Sequence, residues 1–436
     1  MVKQSNDNLK TLYEYEPCTD EAVLSEFKYI LSIKPELYKY MEIASNTVKF
    51  KHYTGFIRTR KYRIQILPKF LKIKADENDN ESDNESDNKN NLIRILMYVF
   101  FPTGTTIPKI EINNDKKDLD LQDLIIRLYA ISFKEQILQG AYRKYIKRSR
   151  EGTYLTGKLN INMQINKIDQ SKFYVDDFRF SINNDLNRFF AYANKYFKHQ
   201  TKDKTNINIL SWIGSILQEE DLSPWNKCQI NFNRMNERFK IPYVYASMIL
   251  NNMITIPDKK RDTIAIIFDM NKIFEQFFAK FIKRNKSNIF KNDSIGIQIQ
   301  PKSKNFIYNI KNNAIRFTKP DLILLNKNYK CVFDTKYKKL DVPKIDNNKK
   351  NMDKVHLIGQ NDLYQMYAYS QIYNSNDTVL VFPGFDNMLS EPYKFKIDCN
   401  KKLWVYMLKF NLNSNNWEKE LVKDFAQYFE KIGLLD

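Results

Sequence analysis

Two acidic residues and a lysine in the last third of the chain have the types and spacing that phosphodiester hydrolysis needs. Pro320-Asp321 is followed, after twelve intervening residues, by Asp334-Thr335-Lys336. Two carboxylates offer hard oxygen ligands to Mg2+, with water completing the octahedron. Such an ion polarises a phosphate and lowers the pKa of a bound water. An ammonium beside it orients that water and offsets charge on the pentavalent transition state. The backbone carbonyl of Thr335 is a further oxygen ligand of the right kind. A blander reading stands beside this one: Asp-x-Lys arises by chance in charged chains, and Pro-Asp is common at turns.

The elements around these residues are those that would hold them. Between Asp321 and Asp334 lie an apolar run (LILL), a turn (NKN) and a second apolar run (CVF), the pattern of a hairpin with both strands largely buried. Asp334 and Lys336 are two apart and face the same side of their strand. Upstream, 271–284 is an amphipathic helix with Phe274, Phe277, Phe278 and Phe281 on one side. Glu275 sits on its flank, either as a third metal-binding acid or as a solvated flank residue. Downstream, a helix over 362–373 carries Gln365 and Tyr369 four residues apart on one face, lining either the site or merely a polar surface. With strands at 295–299, 320–325, 330–337 and 378–382, the order from near Arg261 is α-β-β-β-α-β, a small mixed sheet with flanking helices.

A chain of 436 residues is too long for one ordinary core. The predicted fold class is α+β and multidomain: a β-rich and helical region over 1–260, then the domain at 261–436. In the first region, strands are predicted at 48–50, 55–58 and 62–67, where Tyr62-Arg-Ile-Gln-Ile66 alternates and Pro68 ends the run. Helices are predicted at 92–100, 121–146, 186–197, 207–218 and 243–253, and 155–182 is read as β-rich. Residues 75–91 (ADENDNESDNESDNKNN) hold seven acids and one lysine with no hydrophobic period, which predicts a disordered surface loop.

Net charge is +19, and the acidic tract contributes −6 of it, so the remainder carries +25. Such an excess attracts polyanions, DNA or RNA first among them. Drift toward Lys, Asn and Ile accounts for part of the bias. Four scattered cysteines without a CxxC pair and three histidines argue against zinc and for a reducing, cytoplasmic setting. No apolar run is long enough to span a membrane, and the polar N-terminus lacks a signal-peptide core. Gly152 to Lys158 fits GxxxxGK, but Leu159 stands where a phosphate loop needs Ser or Thr for magnesium, and the preceding KRSRE is no buried strand. This chain is therefore expected to bind no nucleotide.

Several segments together resemble the McrC family, the nuclease subunits of McrBC-type (5-methylcytosine-specific) restriction systems. Gly55-Phe-Ile-Arg58 with Ile64-Gln-Ile-Leu-Pro-Lys69 resembles the family's N-terminal strand pair. Leu155-Thr-Gly-Lys-Leu159 with Asn184-Asp-Leu-Asn-Arg188 resembles its middle region. Phe268-Asp-Met-Asn-Lys-Ile-Phe-Glu275 resembles the opening helix of its nuclease domain. Lys319-Pro-Asp-Leu-Ile-Leu and Val332-Phe-Asp-Thr-Lys-Tyr-Lys338 resemble the catalytic hairpin, and Asp362-Leu-Tyr-Gln-Met-Tyr-Ala-Tyr369 the helix after it, whose Gln-x-x-x-Tyr is similar to RecB-type nucleases. The likeness runs from about Val48 to Phe382.

The resemblance implies a PD-(D/E)xK endonuclease. Asp321, Asp334, Lys336, Glu275 and Gln365 would be catalytic, Asp321, Asp334 and Glu275 would hold Mg2+, and Lys338 and Tyr369 would contact DNA. It also implies docking of the N-terminal half onto an McrB-like AAA+ ring, which binds the GTP, translocates double-stranded, modified DNA and has its GTP hydrolysis stimulated. The acidic tract is an insertion the family does not lead one to expect. Two rivals differ in class: a stand-alone RecB-like nuclease, which needs no motor, and a non-enzymatic adaptor of a AAA+ motor, which has no need for Asp321, Asp334 and Lys336 together.

Overall fold

The structure, a computed structural model, describes residues 9–69, 81–108, 119–165, 171–218, 222–256, 263–290, 294–326, 329–338, 340, 358–384, 393–398, 401–408, 412, 414 and 416–433. It is a mixed α/β, multidomain chain that divides into two compact units, Met1–Asp118 with Ile254–Asp436, and Leu119–Met253. These are not the two consecutive domains expected from the sequence, and the expected boundary at 260/261 lies outside the described residues. The cause is strand pairing: Thr263–Asp269 runs antiparallel to Tyr53–Arg58, from Ile264 opposite Arg58 to Asp269 opposite Tyr53.

In the first unit a five-stranded sheet has the order Leu9–Tyr13, Arg63–Leu67, Tyr53–Arg58, Thr263–Asp269, Met253–Ile256. Its apolar residues, Ile57, Ile64, Ile66, Ala265 and Ile256, pack with Val23, Phe27 and Ile30 of the helix Glu21–Ile33. Gly55 is required inside this sheet. Its φ is +140°, and an added Cβ would lie 1.9 Å from the Ile266 carbonyl oxygen.

The helix Glu81–Phe100 begins within the acidic tract, so the expectation of disorder fails for 81–91; residues 75–80 lie outside the described residues. Asn88, Lys89, Asn90 and Asn91 are buried. Glu85 accepts from Gln65 Nε2 at 2.7 Å and from Thr11 Oγ1 at 3.1 Å. Composition misled because Glu85 bonds to sheet residues and the polar run leads directly into the buried apolar residues Leu92, Ile93, Ile95 and Leu96 of the same helix.

The second sheet of this unit has the order Gly296–Ile299, Leu322–Asn326, Tyr329–Thr335, Asp377–Pro383, Lys401–Leu408, Tyr393–Asp398. Its two ends pair antiparallel, whereas Tyr329–Thr335, Asp377–Pro383 and Lys401–Leu408 run parallel and are mostly buried. Alternation along Tyr329–Thr335 sends Val332 to one face, against Met366 and Tyr369 of the helix Gln360–Ile372. Phe333 goes to the other, 5.8 Å from Phe278 of the helix Met270–Arg284 and 5.9 Å from Phe429 of the helix Trp417–Lys431, ring centre to ring centre. Helices thus cover both faces. A separate hairpin, Lys304–Tyr308 with Ala314–Thr318, was not expected from the sequence, nor were the two strands and helix after Pro383.

Glu14 ties the first sheet to the second. It is 1% exposed, accepts from Lys69 N at 3.1 Å and from the Tyr337 hydroxyl, and burial pushes its carboxyl up to about 8. A carboxyl that keeps its proton in the folded chain but loses it near 4.5 when unfolded stabilises the fold fully below pH 4.5. That stabilisation is lost as pH rises toward about 8. Glu14→Gln is therefore expected to flatten the decline in denaturation midpoint between pH 5 and pH 8; an unchanged slope would place the decline elsewhere.

The second unit is built from the helices Leu121–Leu138, Asp185–Gln200, Lys204–Leu217 and Lys240–Asn251, the first three capped by Asp120, Asn184 and Asp203. Tyr129, Phe133, Phe190 and Phe197 form its core, with Phe133 and Phe190 stacked at 4.1 Å between centroids. The helix expected to reach Ile146 stops at Leu138. Gly140 follows at φ +104°, and Lys144–Gly152 is a strand paired with Phe173–Ser181. Gly152 closes that strand and Lys158 opens the strand Lys158–Leu159, so the GxxxxGK run joins strand to strand. No helix among the described residues is long and apolar enough to cross a membrane.

Candidate active site

Leu322 faces Phe333 in the antiparallel hairpin, and this register sets Asp321 opposite Asp334 at its open end. The hairpin read from the sequence is present, and it brings the two acids together. Thr335 donates to Asp321 Oδ2 from both its backbone N–H and its hydroxyl, each at 2.6 Å. Asp334 is 3% exposed, on a strand with neighbours on both sides. Lys336 N donates to Val381 O at 2.8 Å, which fixes the backbone where the strand ends.

The Lys336 ammonium lies 2.7 Å from Asp334 Oδ2, donates to Gln365 Oε1 at 2.7 Å and is 3.8 Å from Asp362 Oδ1. Gln365 turns its other end to Asp334, with Nε2 donating to Oδ1 at 3.2 Å, and also to the Tyr369 hydroxyl at 2.8 Å. One amide therefore orients both the acid and the base of the motif. Tyr369, expected to contact DNA, instead is 4% exposed and donates to Lys319 O at 3.1 Å. It braces the segment leading into Asp321. Lys338, the other expected DNA contact, is half-exposed and paired with Asp362. Asp362 was missed as a site residue. The available signal was its position three residues before Gln365, on the same helix face.

Glu275 is half-buried on the helix Met270–Arg284, and its Oε1 accepts from Gln300 Nε2 at 2.6 Å. Gln300 N in turn donates to Asp321 O at 2.9 Å, so Glu275 is linked to the site through Gln300. Burial, then the charges of Asp334 and Glu275, push the Asp321 carboxyl up to about 7. Burial also raises Asp334, against the opposing pull of Lys336. Carboxylates desolvated and crowded in this way favour a cation between them.

The fit to magnesium can be judged on these donors. Asp334 Oδ2 is buried and has no aligned hydrogen-bond donor, and Asp321 presents a second carboxylate across the hairpin. Among the described residues no three His, Cys, Asp or Glu side chains come together as a complete metal-binding group. The expected triad of Asp321, Asp334 and Glu275 is thus not assembled as it stands. Two carboxylates with waters do fit Mg2+, which retains much of its hydration shell.

The sequence matches the family described as McrBC 5-methylcytosine restriction system component over residues 48–383. The chain belongs to that family. The matched span opens at the strand Val48–Phe50, contains every site residue named above and closes with the strand Asp377–Pro383. No curated protein sequence matches. Among solved structures, the chain is similar to one in a refined half-complex from a tetradecameric assembly of Thermococcus gammatolerans McrB AAA+ hexamers with bound McrC. The TM-score is 0.67 at 20% identity, covering 97% of this chain and 100% of that one. A second, from the Thermococcus gammatolerans McrBC complex, has a TM-score of 0.47 at 23% identity, covering 64% and 88%. The first likeness is one of fold and extends across both compact units of this McrBC family member.

Proposed function

We propose that this chain is the DNA-cutting subunit of a GTP-driven, McrBC-like restriction complex, with a PD-(D/E)xK site that hydrolyses phosphodiester bonds of double-stranded DNA. One observation carries the reading: Asp321, Asp334, Lys336 and Gln365 converge at the open end of one hairpin, with both carboxyls desolvated. Magnesium held by Asp334 and Asp321 would polarise the scissile phosphate and acidify its water. Thr335 orients Asp321 through two hydrogen bonds. Gln365 holds the Lys336 ammonium against Asp334, where it can steer a water molecule and offset charge gathering on phosphorus. Glu275, through Gln300, adds negative potential that strengthens cation binding.

Docking falls to the unit Leu119–Met253. Its strands Lys144–Gly152 and Phe173–Ser181 hold Tyr145, Phe178 and Phe180 in solvent at 65%, 68% and 50% exposure, apolar surface that a partner would cover. The partner assigned is a McrB-like AAA+ GTPase ring, the kind of protein that carries bound McrC in the Thermococcus assembly. The failed GxxxxGK run leaves GTP to that ring.

Lys336→Ala tests the site. The rate of cleavage by the assembled complex is expected to fall on the order of 10²-fold or more, with duplex binding and GTP turnover retained. An undiminished cleavage rate in a folded variant removes Lys336 from the chemistry.

A further inference from the structure

The hairpin Lys304–Tyr308 with Ala314–Thr318 is paired with no other strand of its unit among the described residues. Every residue of its strands is exposed except Thr318. Phe306, Tyr308, Ile310 and Phe317 are 44%, 53%, 104% and 63% exposed. A two-stranded ribbon is marginal on its own in water, and one with bulky apolar side chains left in solvent needs an occupant.

Charge selects the occupant. Residues 301–319 contain Lys302, Lys304, Lys311, Arg316 and Lys319 and no acidic residue. Cations interleaved with apolar rings suit duplex DNA, because phosphates take the former and sugars or apolar groove edges such as thymine methyls the latter. The root of the hairpin is fixed to the site. Lys304 Nζ donates to Ile372 O at 3.2 Å and lies 5.0 Å from the centre of the Tyr373 ring, whose hydroxyl donates to Thr318 O at 3.3 Å. Ile372 closes the helix that carries Gln365 and Tyr369, and Thr318 is three residues before Asp321. Strands of this length reach on the order of 15–20 Å, about five base pairs of duplex at 3.4 Å each.

We propose that this hairpin is a DNA-holding arm of the candidate active site, gripping the duplex on one side of the bond to be cut. The inference rests on the nuclease reading but is tested by binding rather than by cleavage. Fluorescence anisotropy of a labelled 30-base-pair duplex, in EDTA and across 50–200 mM salt, would compare the full wild-type chain with two double variants. Lys311→Gln with Arg316→Gln is expected to weaken binding by about 5-fold or more at 0.1 M salt and to lower the salt slope by about 1–2. Phe306→Ala with Phe317→Ala is expected to weaken binding with the slope unchanged. These residues lie in an exposed ribbon, and circular dichroism would verify that the variants fold. Unaltered affinity and slope in both double variants would overturn the arm. So would loss of self-association or of binding to the AAA+ ring with duplex affinity intact, since either would assign the surface to a protein. If the variants lose duplex binding as expected but the wild-type complex cuts no DNA with Mg2+, the arm stands and the nuclease reading fails.

Discussion

Asp334→Ala is expected to abolish DNA cleavage while leaving a folded chain that still assembles with its partner. Asp334 is the most deeply buried member of the site and touches both Lys336 and Gln365. Its loss would remove a carboxylate proposed to hold Mg2+ and one of the contacts of the Lys336 ammonium. Residual cleavage is expected to be below about a hundredth of the wild-type rate. Stability is expected to survive, because burial already opposes the charged form of Asp334, and removing an unfavourably buried charge costs little when its partner keeps other contacts. Lys336, 22% exposed at its side chain, keeps Gln365 at 2.7 Å and Asp362 at 3.8 Å. Plasmid nicking and a denaturation curve on the same preparation check both halves. A folded variant that cuts at full rate would remove the site from this hairpin.

What was legible in the sequence was local. The hairpin at Asp321 and Asp334 was readable because two apolar runs flank a polar turn, and burial of both strands follows from that pattern. The helix Met270–Arg284 was readable from its phenylalanine spacing. What joins the two ends of the chain was not. Tyr53–Arg58 pairs with Thr263–Asp269 some 200 residues away, and no local preference records such a partner. The Lys304–Tyr308 hairpin escaped for a related reason: with both strands exposed, the apolar-in, polar-out alternation that marks a half-buried strand is missing. At the site itself, residue types revealed Gln365, but not that its amide would bridge Asp334 and Lys336. Nor did they reveal that Tyr369 would be buried as a brace. Those facts depend on how the helix Gln360–Ile372 is seated on the sheet, through Met366 and Tyr369 against Val332 and Leu380.

The second large effect concerns division of labour. The isolated chain is expected to hydrolyse no GTP, because its GxxxxGK run lacks the hydroxyl residue at Leu159 and joins two strands. It is also expected to cut DNA poorly by itself. The unit Leu119–Met253 contributes none of the site residues, and its exposed Tyr145, Phe178 and Phe180 are the surface assigned to the ring. Binding to a AAA+ GTPase should raise GTP turnover on the ring and deliver DNA to Asp321 and Asp334.

The most direct measurement is cleavage of a 5-methylcytosine-containing plasmid with GTP and Mg2+ by this chain alone, by its AAA+ partner alone and by the two mixed. The account predicts double-strand breaks only in the mixture, faster GTP turnover than the partner shows alone, and no breaks when Mg2+ is chelated. Efficient cutting by the isolated chain with Mg2+ and no GTP, or an unchanged GTP turnover on mixing, would contradict it.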